Sequence, residues 1–220
     1  MTDIFPWMTL YRDAVLRLFG ARVLFVGLQG SRARGEARAG SDIDVVLILD
    51  KLLPGDLEHY RVMLDTLPHR ELVCGFVSGR AVLSNWTRAE LFQFYYDTDA
   101  VYGRLDDLFP RPGAEDARLA VQNGACAIYH ACCHNFVHER DMSLLCGLYK
   151  SALFVLQAAH FVHTGRYIRT HAALREALTG ENALILQYAG ELQSGAAPLN
   201  CFGPYSEELI CWAQRLIVHT

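Results

Sequence analysis

Asp42 and Asp44 stand two residues apart in the run Ser41-Asp42-Ile43-Asp44-Val45-Val46-Leu47-Ile48-Leu49, and ten residues separate them from the pair Gly30-Ser31. Side chains alternate across a strand, so the two carboxylates share one face while Ile43 and Val45 point toward a core. Their spacing along the strand is about 6.5 to 7 Å, which lets them bracket a hard divalent cation, Mg²⁺ or Mn²⁺, rather than zinc. Two acids this close repel each other unless a cation offsets them. The Gly30-Ser31 corner follows the apolar stretch Val23 to Val26. Glycine there lets backbone N–H groups approach a phosphate, and Ser31 adds a hydroxyl donor. Taken together, these residues form a site for a metal-bound triphosphate.

Arg32, Arg34 and Arg38 crowd the ten residues between Ser31 and Asp42, opposed only by Glu36. That positive loop lies beside the phosphate position, and Arg32 is the residue expected to touch it. No Gly-Lys-Ser/Thr follows a strand, so the site is not a P-loop.

Elements that could hold these residues follow from the apolar spacing. Residues 7 to 19 place Leu10, Ala14, Val15, Leu18 and Phe19 on one helical face, with Gly20 as the stop. Strands are expected at about 22 to 28, 43 to 49 and 71 to 77, with a helix at about 56 to 67. Past Pro110-Arg111-Pro112-Gly113 no proline recurs until Pro198, and Ala, Leu and His appear with helical spacing. Residues 115 to 164 read as one or two long helices with Ala125, Tyr129, Cys132, Cys133, Phe136, Leu144, Leu148, Ala152, Val155 and Ala159 inward. Thr164-Gly165 ends that stretch and Thr170 caps the next helix. His130, His134 and His138 recur at steps of four, on a solvent-facing side of the helix rather than as a zinc site.

An apolar strand, Gly-Ser, ten residues, Asp-x-Asp and a second apolar strand together resemble the polymerase-β-type nucleotidyltransferases, in particular their minimal members. The segment Leu91 to Tyr96 with Asp97 to Gly103 resembles the closing helix and short strand of that family. Leu148 to Phe154 with Thr164 to His171 resembles the helical HEPN or antibiotic-nucleotidyltransferase C-terminal domain. The resemblance implies an α/β N-terminal domain at 1–109, a short mixed sheet with helices, and an all-α helical bundle at 114–220. It places the active site in the cleft between the two.

By the same resemblance the reaction is transfer of a nucleoside monophosphate, AMP from ATP, to an acceptor hydroxyl with release of pyrophosphate. Asp42 and Asp44 would hold the metal, and Glu71, at the start of the third strand, would be a third carboxylate. Gly30, Ser31, Arg32 and Lys150 would bind nucleotide. Cys146 stands one turn before Lys150, where antibiotic-modifying relatives carry a glutamate base, so that base does not carry over. Arg166 and His171 match the Arg-x4-His spacing of HEPN ribonucleases, but their surroundings read as a helix start. The acceptor would be a small molecule such as an aminoglycoside-like antibiotic, or a protein. The alternative is a non-catalytic nucleotide-binding regulator or a toxin–antitoxin component, against which the intact Gly30, Ser31, Asp42 and Asp44 argue.

Composition sets outer bounds. The 220 residues, 52% of them hydrophobic, suffice for one large or two small domains. A net charge of -4 and a pI near 6.1 make RNA the least expected acceptor. Seven scattered cysteines form no paired framework, so free buried thiols are expected. The first residues lack a basic-then-apolar leader and no run of about 18 apolar residues occurs. A cytoplasmic protein without membrane partners is the expectation, and a homodimer is compatible with it.

Overall fold

The structure is a computed structural model that describes residues 4–219. The chain divides into two compact units, Met1–Thr87 with Phe94–Arg111, and Arg88–Gln93 with Pro112–Thr220.

The first unit is built on a four-stranded sheet of order β3-β2-β1-β4, formed by β1 (Val23–Gln29), β2 (Ile43–Leu49), β3 (Val73–Gly79) and β4 (Asp99–Tyr102). Every residue of β2 except Asp44 is buried, as its unbroken apolar run requires of a central strand. β1 pairs antiparallel with both β2 and β4, whereas β2 and β3 are parallel. A parallel pair needs a crossover, and α3 (Pro54–Leu64) supplies it. Pro54 opens that helix, and the Asp56 carboxylate accepts the Leu53 N–H at 2.8 Å. Both Asp56 oxygens also accept from Arg22, at 2.9 and 2.8 Å, which holds the carboxyl down at about 2.

α1 (Ile4–Phe19) covers this sheet with a face rotated from the expected one. Trp7, Met8, Tyr11, Ala14, Val15 and Phe19 are buried, whereas Leu10 and Leu18 are 51% and 38% exposed. The aromatic residues decide the rotation. The Trp7 indole donates to the Pro68 carbonyl at 2.7 Å, the Tyr11 and Tyr60 hydroxyls bond at 2.7 Å, and the Trp7 and Tyr11 rings stack at 5.6 Å. Large rings with satisfied polar tips outweigh two leucines for the inward positions.

The C-terminal part is helical, as the sequence implies: α6 (Ala114–His134), α7 (Met142–Thr164), α8 (His171–Ala177), α9 (Gly180–Ser194) and α10 (Phe202–His219). The shorter α2 (Gly30–Ala33), α4 (Arg80–Ser84) and α5 (Arg88–Asp97) precede them. A π-turn at Asn135–Glu139 separates α6 from α7, and the Asn135 amide closes it through both the carbonyl and the N–H of Asp141. The extra residue in that turn resets the helical phase. Ala125, Cys132, Ala152, Val155 and Ala159 are buried as expected, but Ile128, Leu145 and Tyr149 replace Tyr129 and Leu144, which face solvent. Gly165, at φ 69°, ends α7, and the Thr170 hydroxyl accepts the Ala173 N–H to start α8.

Among the described residues α7 is the one helix long and apolar enough to cross a bilayer, and half of that apolar stretch is buried inside the protein. All seven cysteines are free, but only Cys132 and Cys201 are buried, fewer than expected.

Candidate active site

β1 and β2 form a hairpin whose register pairs Gln29 with Asp44. That pairing brings the residue after β1, Gly30, against the carboxylate. A Cβ placed on Gly30 would stand 2.0 Å from Asp44 Oδ2, and Gly30 itself sits at φ 70°. Only glycine satisfies both the left-handed backbone and the contact. The chain then enters α2, which carries Ser31, and returns through residues 34–42 to begin β2.

Arg32 governs that return. It is buried, and its Nε donates to the carbonyls of Ser41 and Asp42 at 3.1 and 3.0 Å, with Nη2 on Ser41 at 2.7 Å. Arg32 thus braces the backbone that carries Asp42. The planar guanidinium presents several N–H donors at once, so one side chain reaches both carbonyls.

Arg34 pairs with an acid 63 residues away. Its Nη1 donates to both oxygens of Asp97, at 3.0 and 3.1 Å, and its Nε to Glu36 at 3.1 Å. The Arg34 and Asp97 side chains are only 10% and 9% exposed. Asp97 ends α5, and the next residue, Thr98, accepts a hydrogen bond from the Gln29 amide at 2.7 Å. The corner at Gly30 is thus tied to the α5–β4 junction from both sides. Sequence reading missed Asp97. Its only local signal is an arginine-rich loop with too few acids of its own.

Asp44 is half-buried and Asp42 exposed. Burial first, and the Asp42 charge second, raise the Asp44 carboxyl above its ordinary range; Arg34 pulls against them, and Asp97 adds to the rise. An acid pushed up by a neighbouring acid is an incomplete electrostatic arrangement that a cation completes. Two carboxylates on one face are hard oxygen donors that fit Mg²⁺ or Mn²⁺, which keep other positions for water and phosphate. No group of three or more His, Cys, Asp or Glu among the described residues is arranged for a metal. His130, His134 and His138 are exposed, and the His134 and His138 rings lie 4.8 Å apart.

Glu71 does not join the pair. It lies in the 3-10 turn Arg70–Leu72 ahead of β3, with its side chain 71% exposed and a His69 nitrogen at 3.8 Å. β3 begins two residues later at Val73, opposite Ile43, so the residue level with Asp44 is Cys74. The turn Thr66 to Leu72 consumes residues that apolar content alone assigns to the strand. Glu71→Gln is expected to leave transfer within about twofold of wild type in a pyrophosphate-release assay, as surface changes away from a site generally do. Lys150 lies exposed on α7 of the helical unit.

The pattern described for a nucleotidyltransferase domain matches residues 9–125, just over half of the chain. The chain belongs to that family. No curated protein matches it in sequence. A solved structure of the spectinomycin adenyltransferase AAD(9) from Enterococcus faecialis, with ATP and spectinomycin, is similar over 97% of this chain and 99% of that one, at a TM-score of 0.61. Identity between them is 11%, so the likeness is one of fold. This nucleotidyltransferase therefore shares both the small mixed sheet and the helical C-terminal part with an adenyltransferase.

Proposed function

We propose that this nucleotidyltransferase moves AMP from ATP to a hydroxyl of a small molecule, such as an aminoglycoside-like antibiotic, or of a protein, and releases pyrophosphate. Residues 1–109 would form the transferase domain and 114–220 a HEPN-like helical domain. The observation that carries this reading is the contact of the Asp44 carboxylate with Gly30, which sets a hard oxygen donor beside a glycine corner able to take a phosphate.

In this reading Asp42 and Asp44 hold Mg²⁺, which when bound polarises phosphoryl oxygens and offsets the charge of the departing pyrophosphate. The Gly30 and Ser31 N–H groups, with the Ser31 hydroxyl, orient the β- and γ-phosphates. Arg32 keeps Asp42 in place through its backbone. Arg34 and Asp97 neutralise each other next to Asp44, so the corner stays rigid without adding net charge. The acceptor oxygen forms a bond to the α-phosphorus as the bond from that phosphorus to the pyrophosphate oxygen breaks, and the hydroxyl proton is released to water. ATP as the nucleotide, and an antibiotic-like acceptor, are drawn from the adenyltransferase of the same fold.

The test is incubation of wild-type protein with Mg²⁺, α-labelled ATP and either an aminocyclitol panel or cell extract, followed by separation of small molecules, protein and RNA. Label in the small-molecule or protein fraction supports the reading. Label in RNA alone, or pyrophosphate release from ATP that ends only in water, overturns the acceptor assignment.

A further inference from the structure

A cavity of about 410 Å³ opens between α6 and α7 within the helical unit. Its floor is a line of short side chains on α6: Ala120, Gly124, Ala127 and Ala131. At Gly124 the helices close tightly, since a Cβ there would stand 2.4 Å from Val155 Cγ2. Elsewhere along the line a methyl group is too short to fill the gap, and the cavity opens to solvent at Ala127, Ser151 and Phe154.

The walls are aromatic and fixed. Phe92 meets the Phe161 ring edge-to-face at 5.1 Å and the Tyr167 ring at 5.8 Å. Tyr167 donates its hydroxyl to Gln157 at 3.2 Å, and the Gln157 amide, itself buried, donates to the carbonyls of Ile168 and Arg169 at 2.9 Å each. The segment bearing Tyr167 is thereby clamped to α7, which leaves the wall preorganised rather than collapsible. None of the lining side chains carries a charge; their polar members are Gln93, Ser151 and Tyr167.

We propose that this cavity is a binding site for a compact, uncharged small molecule that carries a ring. The volume falls within the range of about 300 to 1,000 Å³ usual for small-molecule sites. Aromatic walls about a floor of methyl groups accept a ring by face and edge contact. An ionised ligand would lose part of its hydration against the apolar lining and meet no counter-charge, so the lining selects against it. The Gln93 amide and the Ser151 hydroxyl give a bound molecule polar groups to meet at the rim. The site does not depend on the transfer reaction, and its test needs no nucleotide.

The test is a fluorescence titration of the full-length protein with N-phenyl-1-naphthylamine, an uncharged dye that brightens in apolar surroundings, and in parallel with its anionic relative anilinonaphthalene sulfonate. Saturable one-to-one binding of the neutral dye is expected, at least tenfold tighter than the anion. Ala127→Phe and Ala131→Phe each fill the floor from positions that retain solvent contact, and each is expected to weaken the neutral dye at least tenfold. Gln122→Phe places the same ring on the exposed side of α6 and is expected to leave binding unchanged. Circular dichroism checks the fold of each variant. Non-saturable dye signal, equal affinity for the anion, or undiminished binding in a folded floor variant overturns the proposal.

Discussion

Asp42→Asn/Asp44→Asn is expected to lose nucleotidyl transfer by about a thousandfold or more while the metal-free protein melts no lower than wild type. A metal held at a phosphoryl centre contributes several kcal/mol of transition-state stabilisation, and each 1.4 kcal/mol is about tenfold in rate. Stability moves the other way because the folded protein disfavours the ionised Asp44. Burial and the Asp42 charge raise its carboxyl above the value in the unfolded chain. The folded state therefore holds that proton more tightly, and ionisation costs stability as pH rises through the raised value. An amide bears no such cost. In EDTA at neutral pH, single Asp44→Asn should melt higher than wild type, and the difference should close as pH falls below the ordinary carboxylate range. Mg²⁺ should raise the wild-type melting temperature by binding the folded state, and leave the double variant unmoved. An equal Mg²⁺ rise in the double variant, or retained transfer, would remove these aspartates from the site.

The strands that carry the site were legible because their apolar runs end sharply. β2 begins at the residue the sequence indicates, and β1 lies one residue later than expected. The shared face of Asp42 and Asp44 follows from strand alternation alone. What local pattern does not contain is partnership at a distance. Arg32, Arg34 and Arg38 look alike as a basic loop, yet Arg32 turns back to carbonyls nine and ten residues on, and Arg34 finds Asp97 only once the α5–β4 junction is tied to the end of β1. Glu71 was misplaced because Leu72 extends the apolar stretch of β3 back into what is a 3-10 turn. The inward faces of α1 and α7 shifted for two separate reasons. Aromatic rings with distant hydrogen-bond partners turned α1, and the π-turn at Asn135–Glu139 changed the phase entering α7. Periodicity reports that a helix has an apolar face, but rings and turns decide which residues centre it.

Gly30→Ala is the sharper probe of the corner, since it adds one methyl group and changes no charge. That methyl group would stand 2.0 Å from Asp44 Oδ2, so the carboxylate must swing away or the backbone must shift. The left-handed backbone at Gly30 adds a conformational cost of about 1 to 2 kcal/mol for any residue with a Cβ. Strain and displacement are separable. Gly35 lies in the same loop at φ 72°, with nothing within 4 Å of its own Cβ position. Gly35→Ala thus carries the backbone strain without the collision. Both variants are expected to fold, by circular dichroism, and to melt a few degrees below wild type. Gly30→Ala should lose transfer about a hundredfold or more, the scale on which a displacement of about 1 Å acts on a reacting centre, together with most of the Mg²⁺-induced rise in melting temperature. Gly35→Ala should keep both within a few-fold. If the two variants lose activity alike, backbone strain in the loop is what matters. If only Gly30→Ala does, the contact between glycine corner and carboxylate is the feature on which transfer depends.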